Sequence, residues 1–329
     1  MFVDSVSHLS GTDKKHWQEL LRSTGLTPDE NVRQTVLVWD GEMLAAAGSR
    51  QENLLKCIAV DPAYQGEGLL ATVLTGLRQE AFREGHRHLF LYTKPANEYL
   101  FRSMAFYPVA ATGDVLLMED KKDGVLEFLQ TLPNAKCEGT VGAAVMNCDP
   151  FTLGHQYLIE TAAKECAWLY VFVLSEDKGR FSAADRLEMV KQGTAHLPNV
   201  TVLPTGPYLI SSATFPTYFL KDREKAEQVQ CLLDIEIFCR YFVPKFGITR
   251  RYVGTEPLSL VTNLYNEALL ANLPGSGVQL RCIPRLTQGN TPVSASAVRK
   301  AISSGNFSQL ETLVPHTTLA YLQEKHLID

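Results

Sequence analysis

Asn147-Cys148-Asp149-Pro150-Phe151-Thr152-Leu153-Gly154-His155 stands between an apolar run, VGAAVM, and a segment with helical apolar spacing, QYLIETAAKE. A short unbroken apolar run closed by a turn signal reads as a strand buried on both faces, so the stretch predicts strand, tight turn, helix. In that order the first N–H groups of the helix and its dipole face whatever lies beyond the strand end, which suits a phosphate. Pro150 stiffens the turn and Gly154 permits close approach of a ligand to the backbone. Thr152 and His155 supply side-chain donors able to follow a phosphate as its charge redistributes.

Downstream, strand and helix patterns alternate: WLYVFVL, SAADRLEMVKQGTA, NVTVLP, a long helical region through EKAEQVQCLLDIEIFCRYF, RRYVG, NLYNEALLAN, VQLRCIP and SASAVRKAISSG. Repeated strand–helix order predicts a Rossmann-like α/β domain with a mainly parallel sheet, whose ligands bind at the carboxyl ends of the strands. Near the far end, Val293-Ser294-Ala295-Ser296-Ala297-Val298-Arg299 is a second expected helix start. There hydroxyls and early N–H groups can take phosphate oxygens, and Arg299 can neutralise leaving-group charge.

Further candidates follow other strands. Lys178, Arg180 and Arg186 in SEDKGRFSAADRLEMV are cations for a carboxylate or phosphates, and Gly254, Thr255 and Glu256 in YVGTEPLS are placed to line an adenosine. No P-loop pattern occurs, so in-line attack at an α-phosphate, with Mg2+ sharing the charge, is the expected chemistry.

The first third reads differently. A helix over DKKHWQELLRSTG precedes RQTVLVW and EMLAAAGSR, which flank the hairpin signal Asp40-Gly41, and NLLKCIAV follows as a third strand. Helical spacing from Leu69 to Phe82, a strand at HLFLYTK, a short helix from Asn97 and strands around FYPVA and DVLLME complete a mixed α/β unit. Between Asp120 and Glu138 the composition changes and Pro133-Asn134 interrupts it, giving expected domains of 1–132 and 133–329. At 329 residues two domains are the natural expectation.

Three resemblances attach to these residues. Thr152-Leu153-Gly154-His155 resembles the T/H-x-G-H signature of the nucleotidyltransferase superfamily, and VSASAVR is similar to its I-S-S-T-x-x-R signature, with Ala295 in place of the middle serine. Val60-Asp61-Pro62-Ala63-Tyr64-Gln65-Gly66-Glu67-Gly68 resembles the pyrophosphate-holding loop of the GNAT acetyltransferases, with Leu70 at its last position. The segment from Asn97 to Phe106 is similar to a later GNAT segment, but Phe101 stands where a thiolate-protonating tyrosine is common and has no hydroxyl. Tyr99 and Tyr107 are expected to pack structurally. The combination, with MNCDPFTLGHQYLIE, KGRFSAADRLEMV and VGTEP, resembles the citrate lyase ligase family across essentially the whole chain.

That resemblance implies an AMP-forming acid–thiol ligase that uses ATP and acetate to acetylate the thiol of a CoA-like prosthetic group on the acyl carrier subunit of citrate lyase. It implies Thr152, His155 and Arg299 as catalytic residues. It implies nucleotide contacts at Asn147, Asp149, Phe151, Gly154, Lys178, Arg186, Gly254, Thr255, Glu256, Ser294 and Ser296. Gln65, Gly66, Gly68 and Asn97 are the expected contacts of the prosthetic arm. The rival readings are a fused acetyltransferase and pantetheine-phosphate-type adenylyltransferase, and a non-catalytic nucleotide or acyl-CoA sensor.

The bulk properties bound these expectations. A 45% hydrophobic, 20% charged chain with net charge -5 is expected to fold throughout and argues against broad nucleic-acid or membrane-surface binding. No run approaches the roughly 20 apolar residues of a membrane span, so a cytoplasmic protein is expected. Seven cysteines without a C-x-x-C pair give no zinc or disulfide framework.

Overall fold

The computed structural model describes residues 1–177, 179–209, 223–255, 260–289 and 291–328. The chain forms two compact units, one of Met1–Val125 with Pro216–Leu233 and the other of Leu126–Phe215 with Asp234–Asp329.

In the first unit, β1 (Phe2–Val6), β2 (Gln34–Asp40), β3 (Met43–Gln51), β4 (Leu54–Val60), β5 (Phe90–Thr93), β6 (Tyr107–Ala111) and β7 (Leu116–Glu119) form one sheet in the order β1-β2-β3-β4-β5-β7-β6. All neighbours are antiparallel except β4 and β5. Helices α1 (Gly11–Ser23), α2 (Leu69–Arg83) and α3 (Glu98–Ser103) complete the unit. Glycine lets α2 lie close on the sheet: a Cβ on Gly48 would meet Val73 at 2.4 Å, and one on Gly76 would meet Val36 at 3.0 Å. Val36, Val38, Leu55, Val73, Leu77, Leu91, Phe106 and Met118 make the core. The parallel pair joins only at Leu54↔Phe90 and Leu55↔Leu91, although β4 runs on to Val60. Past Leu55 the two strands part, and a cavity of about 790 Å³ opens beside Ile58, Val60, Tyr92 and Thr93.

In the chain α4 (Gly124–Thr131) follows β7. The second unit contains β8 (Val141–Met146), α5 (Leu153–Lys164), β9 (Trp168–Val173), α6 (Ala183–Thr194) and β10 (Val200–Pro204). Along the chain then come α7 (Arg223–Ile237), which belongs to the first unit as far as Leu233, and, in the second, a π-helical turn Phe238–Phe242, α8 (Val243–Phe246), β11 (Arg250–Gly254), α9 (Leu260–Asn272) and β12 (Gln279–Ile283). A short hairpin, β13 (Thr287–Gln288) and β14 (Thr291–Pro292), leads to α10 (Ala295–Ser303), α11 (Phe307–Leu313) and α12 (His316–Glu324).

The five main strands lie in the order β10-β9-β8-β11-β12, every pair parallel. Connections leave β8 towards β9 and return on its other side to β11, so the order reverses between β8 and β11. That reversal is the topological switch point at which open α/β sheets form ligand crevices. Here β8 and β11 pair only at Gly142↔Arg250 and Ala143↔Arg251, leaving their carboxyl ends apart. The core beneath joins Ala144, Met146, Phe151, Ile159, Val171, Tyr252, Val293 and Val298.

Candidate active site

The loop after β8 is shaped by its own backbone. Asp149–Pro150 is cis and Cys148 has φ of 52°, so the chain turns sharply and Thr152 starts α5 in extended conformation. Asp149 is 5% exposed, and its carboxylate accepts the backbone N–H groups of Arg180 at 3.1 Å and Phe181 at 3.0 Å. It therefore pins the loop after β9 to the loop after β8. Gly179 makes this approach possible, since a Cβ there would stand 2.6 Å from the Asp149 carboxyl carbon.

Thr152 and His155 form a reciprocal cap. Thr152 Oγ1 accepts from the His155 backbone N–H at 3.3 Å, while the Thr152 backbone N–H donates to His155 Nδ1 at 3.1 Å. A ring nitrogen that accepts an N–H bond carries no proton, so the neutral imidazole holds its hydrogen on Nε2. Burial, aided by the charge of Arg285, pushes the His155 pKa down to about 4. The result is a neutral donor of fixed tautomer, stacked on the buried Phe151 ring at 5.9 Å.

The second signature stands against the first. Ser294 caps α10, accepting the Ala297 backbone N–H at 3.2 Å. A Cβ on Gly154 would meet the Val293 carbonyl oxygen at 3.1 Å, so the first turn of α5 and the residue before the α10 cap are in near contact. Arg299 Nη1 donates to the Asp149 carbonyl at 2.5 Å, its Nη2 donates to Ser296 Oγ at 3.2 Å, and the guanidinium lies 3.5 Å from the Asp149 carboxylate. Two helix N-termini, whose caps Thr152 and Ser294 are 142 positions apart in sequence, thus share one locus.

A cavity of about 240 Å³ occupies that locus at the switch point. Asn147, Thr152, Gly154 and His155 line it from the α5 side, Gly254 and Thr255 from the end of β11, and Ser294 from α10. Thr255 Oγ1 accepts the Arg285 backbone N–H at 3.1 Å, tying the ends of β11 and β12. Asn147, His155, Arg251, Asn266 and Arg285 bring cationic or N–H-donating side chains to its lining, and no carboxylate lines it among the described residues. The helix starts and hydroxyls at its α5 and α10 ends fit a polyphosphate. No group of three His, Cys, Asp or Glu residues arranged for a metal occurs among the described residues.

Some expected contacts are placed elsewhere. Arg186 is fully buried and spends its guanidinium on protein carbonyls: Nη1 donates to the Asn147 carbonyl at 2.7 Å and Oδ1 at 2.6 Å, Nε donates to the Phe181 carbonyl at 3.2 Å, and Nη2 donates to the Glu176 carbonyl. It orients Asn147 from behind and does not line the cavity. Phe151 is buried under His155, and Asp149 is buried in the loop junction, so both support the site from outside the cavity wall. Arg180 donates to Ser303 Oγ at 3.1 Å, and its side chain is exposed. Lys178 and Glu256 lie outside the described residues.

Four cavity residues carried no signal in the sequence reading: Arg251, Tyr265, Asn266 and Arg285. Asn266 Nδ2 donates to the Gly254 carbonyl at 3.1 Å and Tyr265 donates to Asp234 at 2.5 Å. The position of Arg285 two residues past an apolar strand was the only available cue.

In the first unit the 790 Å³ cavity is lined by Gln65, Gly66, Gly68 and Asn97 together with Lys94 and Phe101. Gly68 caps α2 with φ of 78° and Gly66 has φ of 90°, a region that favours glycine. Asn97 donates to Thr93 Oγ1 at 2.9 Å. Phe101 meets Phe106 edge to face and brings no hydroxyl to the cavity. Tyr99, expected to pack, is instead 86% exposed, because α3 turns Phe101 inward and leaves Tyr99 on the solvent side.

No helix among the described residues is long and apolar enough to cross a membrane.

Comparison with known proteins agrees with both halves. Residues 141–322 match the family model of the citrate lyase ligase C-terminal domain, and residues 4–107 match that of the acetyltransferase (GNAT) family. The chain is 38% identical over 310 residues to the [citrate [pro-3S]-lyase] ligase of Klebsiella pneumoniae, covering 92% of this chain and 91% of that one. Proteins of the same name are 37% identical in Escherichia coli K12, over 97% of this chain and 94% of the relative, and 36% identical in Haemophilus influenzae, over 93% and 94%. With a family model spanning more than half its length and near full-length relatives of one name, the chain belongs to the citrate lyase ligase family.

Proposed function

We propose that this chain activates citrate lyase by acetylating the thiol of the CoA-like prosthetic group on its acyl carrier subunit, from ATP and acetate, in the cytoplasm. The observation that carries the reading is the meeting of the α5 and α10 N-termini at one cavity, with Arg299 anchored to the Asp149 carbonyl at 2.5 Å. Two oriented helix ends and a guanidinium are what a triphosphate splitting at its α-phosphorus requires.

In this reading residues 133–329 hold MgATP. An acetate oxygen attacks the α-phosphorus, the bond to the bridging oxygen breaks, and pyrophosphate leaves towards Ser294, Ser296 and Arg299. Thr152 and the Nε2–H of His155 donate to the phosphoryl oxygens as charge builds on them. The carrier's thiol gives up its proton to solvent, its sulfur attacks the acetyl carbonyl, and AMP departs with the electrons of the acyl C–O bond. The acceptor thiol comes from outside the chain: Cys148, the cysteine in the loop, is buried, and burial pushes its thiol pKa up.

Residues 1–132 take the arm in this scheme. The cavity beside Gln65, Gly66, Gly68 and Asn97 offers a helix start for the arm's phosphates, and Phe101 supplies no acid for an ordinary acetyl-CoA-dependent transfer.

The test is ATP–pyrophosphate exchange by the purified chain with Mg2+, with and without acetate, repeated with thiol-form citrate lyase. Acetate-dependent exchange is expected. Its absence in both preparations would overturn the reading.

A further inference from the structure

We infer that Arg251 is the anchor for the carboxylate substrate, holding it at the β11 wall of the cavity; the inference rests on the adenylation reading above. β11 alternates, sending Tyr252 to the face that packs with Ala144, Met146 and Ile159 and Arg251 to the other. On that other face the guanidinium stands 4.3 Å from the centre of the Phe238 ring, and the residue is 2% exposed while lining the cavity. A cation over a ring uses the π face and leaves the in-plane N–H donors free. Two of them, Nε and Nη1, meet no acceptor.

Buried charges are ordinarily paired, and a buried donor left unmade destabilises the fold, so a guanidinium with unmet donors on a residue that lines a cavity points to an anion that completes it.

The chemistry of the pocket favours a small carboxylate over a further phosphate. The phosphates already have the α5 and α10 ends, Ser294 and Arg299. Arg251 belongs to β11, and Val253 of the same strand and Val145 of β8 line the cavity with apolar surface that suits a short alkyl group better than a solvated phosphate. A guanidinium there cancels the charge of the carboxylate, which must otherwise approach a polyanion in a poorly solvated space. One oxygen rests on Arg251 and the other is left to attack, and in-line displacement requires that nucleophile to approach from the side opposite the departing pyrophosphate.

The test uses the full chain and its Arg251→Lys and Arg251→Gln variants. Three quantities are read: acetate KM in ATP–pyrophosphate exchange, MgATP affinity by calorimetry without acetate, and acetate binding by NMR line broadening of labelled acetate. The expected result is a rise of about 30-fold or more in acetate KM for Arg251→Gln, a smaller rise for Arg251→Lys, and unchanged MgATP affinity. An unchanged acetate KM, or a loss of MgATP affinity as large as the loss for acetate, would overturn the assignment. Should Arg251→Gln fail to fold, Arg251→Lys keeps the charge and still decides through its acetate KM. Absence of exchange by the unaltered chain would instead count against adenylation, and the acetate-binding measurement would then decide the role of Arg251 by itself.

Discussion

His155 shows how a single side chain is prepared for one task. The Thr152 N–H bond to Nδ1 at 3.1 Å fixes the proton on Nε2, and burial lowers the pKa from an ordinary 6.5 to about 4. The imidazole is therefore neutral at physiological pH and serves as a donor without adding a charge. NMR titration of the ring is expected to show no protonation between pH 7 and pH 5, and a midpoint near 6.5 would refute the assignment. The sign for stability follows: unfolding restores the ordinary pKa, so the unfolded chain takes up a proton that the folded chain refuses, and stability falls as pH drops from 6.5 towards 4. His155→Ala removes the donor and is expected to reduce pyrophosphate exchange by about 10²–10³-fold, by analogy with loss of one oxyanion-type donor. Exchange at the unaltered rate would show that His155 is only a cap. The motif made this residue legible in the sequence. Arg186 was legible only as a cation, because the acceptors that consume it are the carbonyls of Asn147, Phe181 and Glu176, which carry no sequence code.

Element by element, periodicity reported most of the helices and buried strands, but α4, α11 and α12 went unread. The apolar runs VGAAVM and WLYVFV became adjacent parallel strands, and the caps at Thr152 and Ser294 begin α5 and α10. β1 escaped notice because it pairs only with β2 at the edge and has no buried residue, so it leaves no apolar alternation to read. Arg251 escaped because a charged residue early in a strand reads as surface, whereas here the face it occupies is covered by the Phe238 turn. The spacing between α5 and the approach to α10 is the functional dimension that no pattern reveals. Gly154→Ala tests it. Alanine is favoured over glycine in a helix by about 1 kcal/mol, which offsets part of the crowding against the Val293 carbonyl at 3.1 Å. Net stability is expected to change by less than about 1 kcal/mol by thermal melting. Moving the two helix ends apart by a few tenths of an ångström disturbs positioned donors, so exchange is expected to fall about 10-fold or more. An equal loss of stability and activity would mean that Gly154 serves packing alone.

For the whole molecule, the two units present separate cavities with separate chemistry, the second rich in donors at the sheet switch point and the first framed by parted parallel strands and a glycine loop. If the work divides accordingly, adenylation and thiol transfer are separable by mutation. The glycine loop permits that experiment. Gly66 and Gly68 have φ of 90° and 78°, and a Cβ at either position would meet nothing within 4 Å. Substitution there strains the backbone without steric collision, and two alanines are expected to shift the loop at the start of α2 while leaving the sheet intact. In the Gly66→Ala, Gly68→Ala double variant, acetate-dependent pyrophosphate exchange is expected to persist, because none of its residues lies in the first unit. Acetylation of thiol-form citrate lyase is expected to need about 10-fold or more of the carrier for half-maximal rate, since backbone N–H groups at a helix start are lost to the arm's phosphates. Carrier use identical to that of the unaltered chain would exclude the loop as the docking site. Loss of exchange alongside loss of transfer would show that the first unit acts on adenylation too, and that the two half-reactions are coupled within the chain.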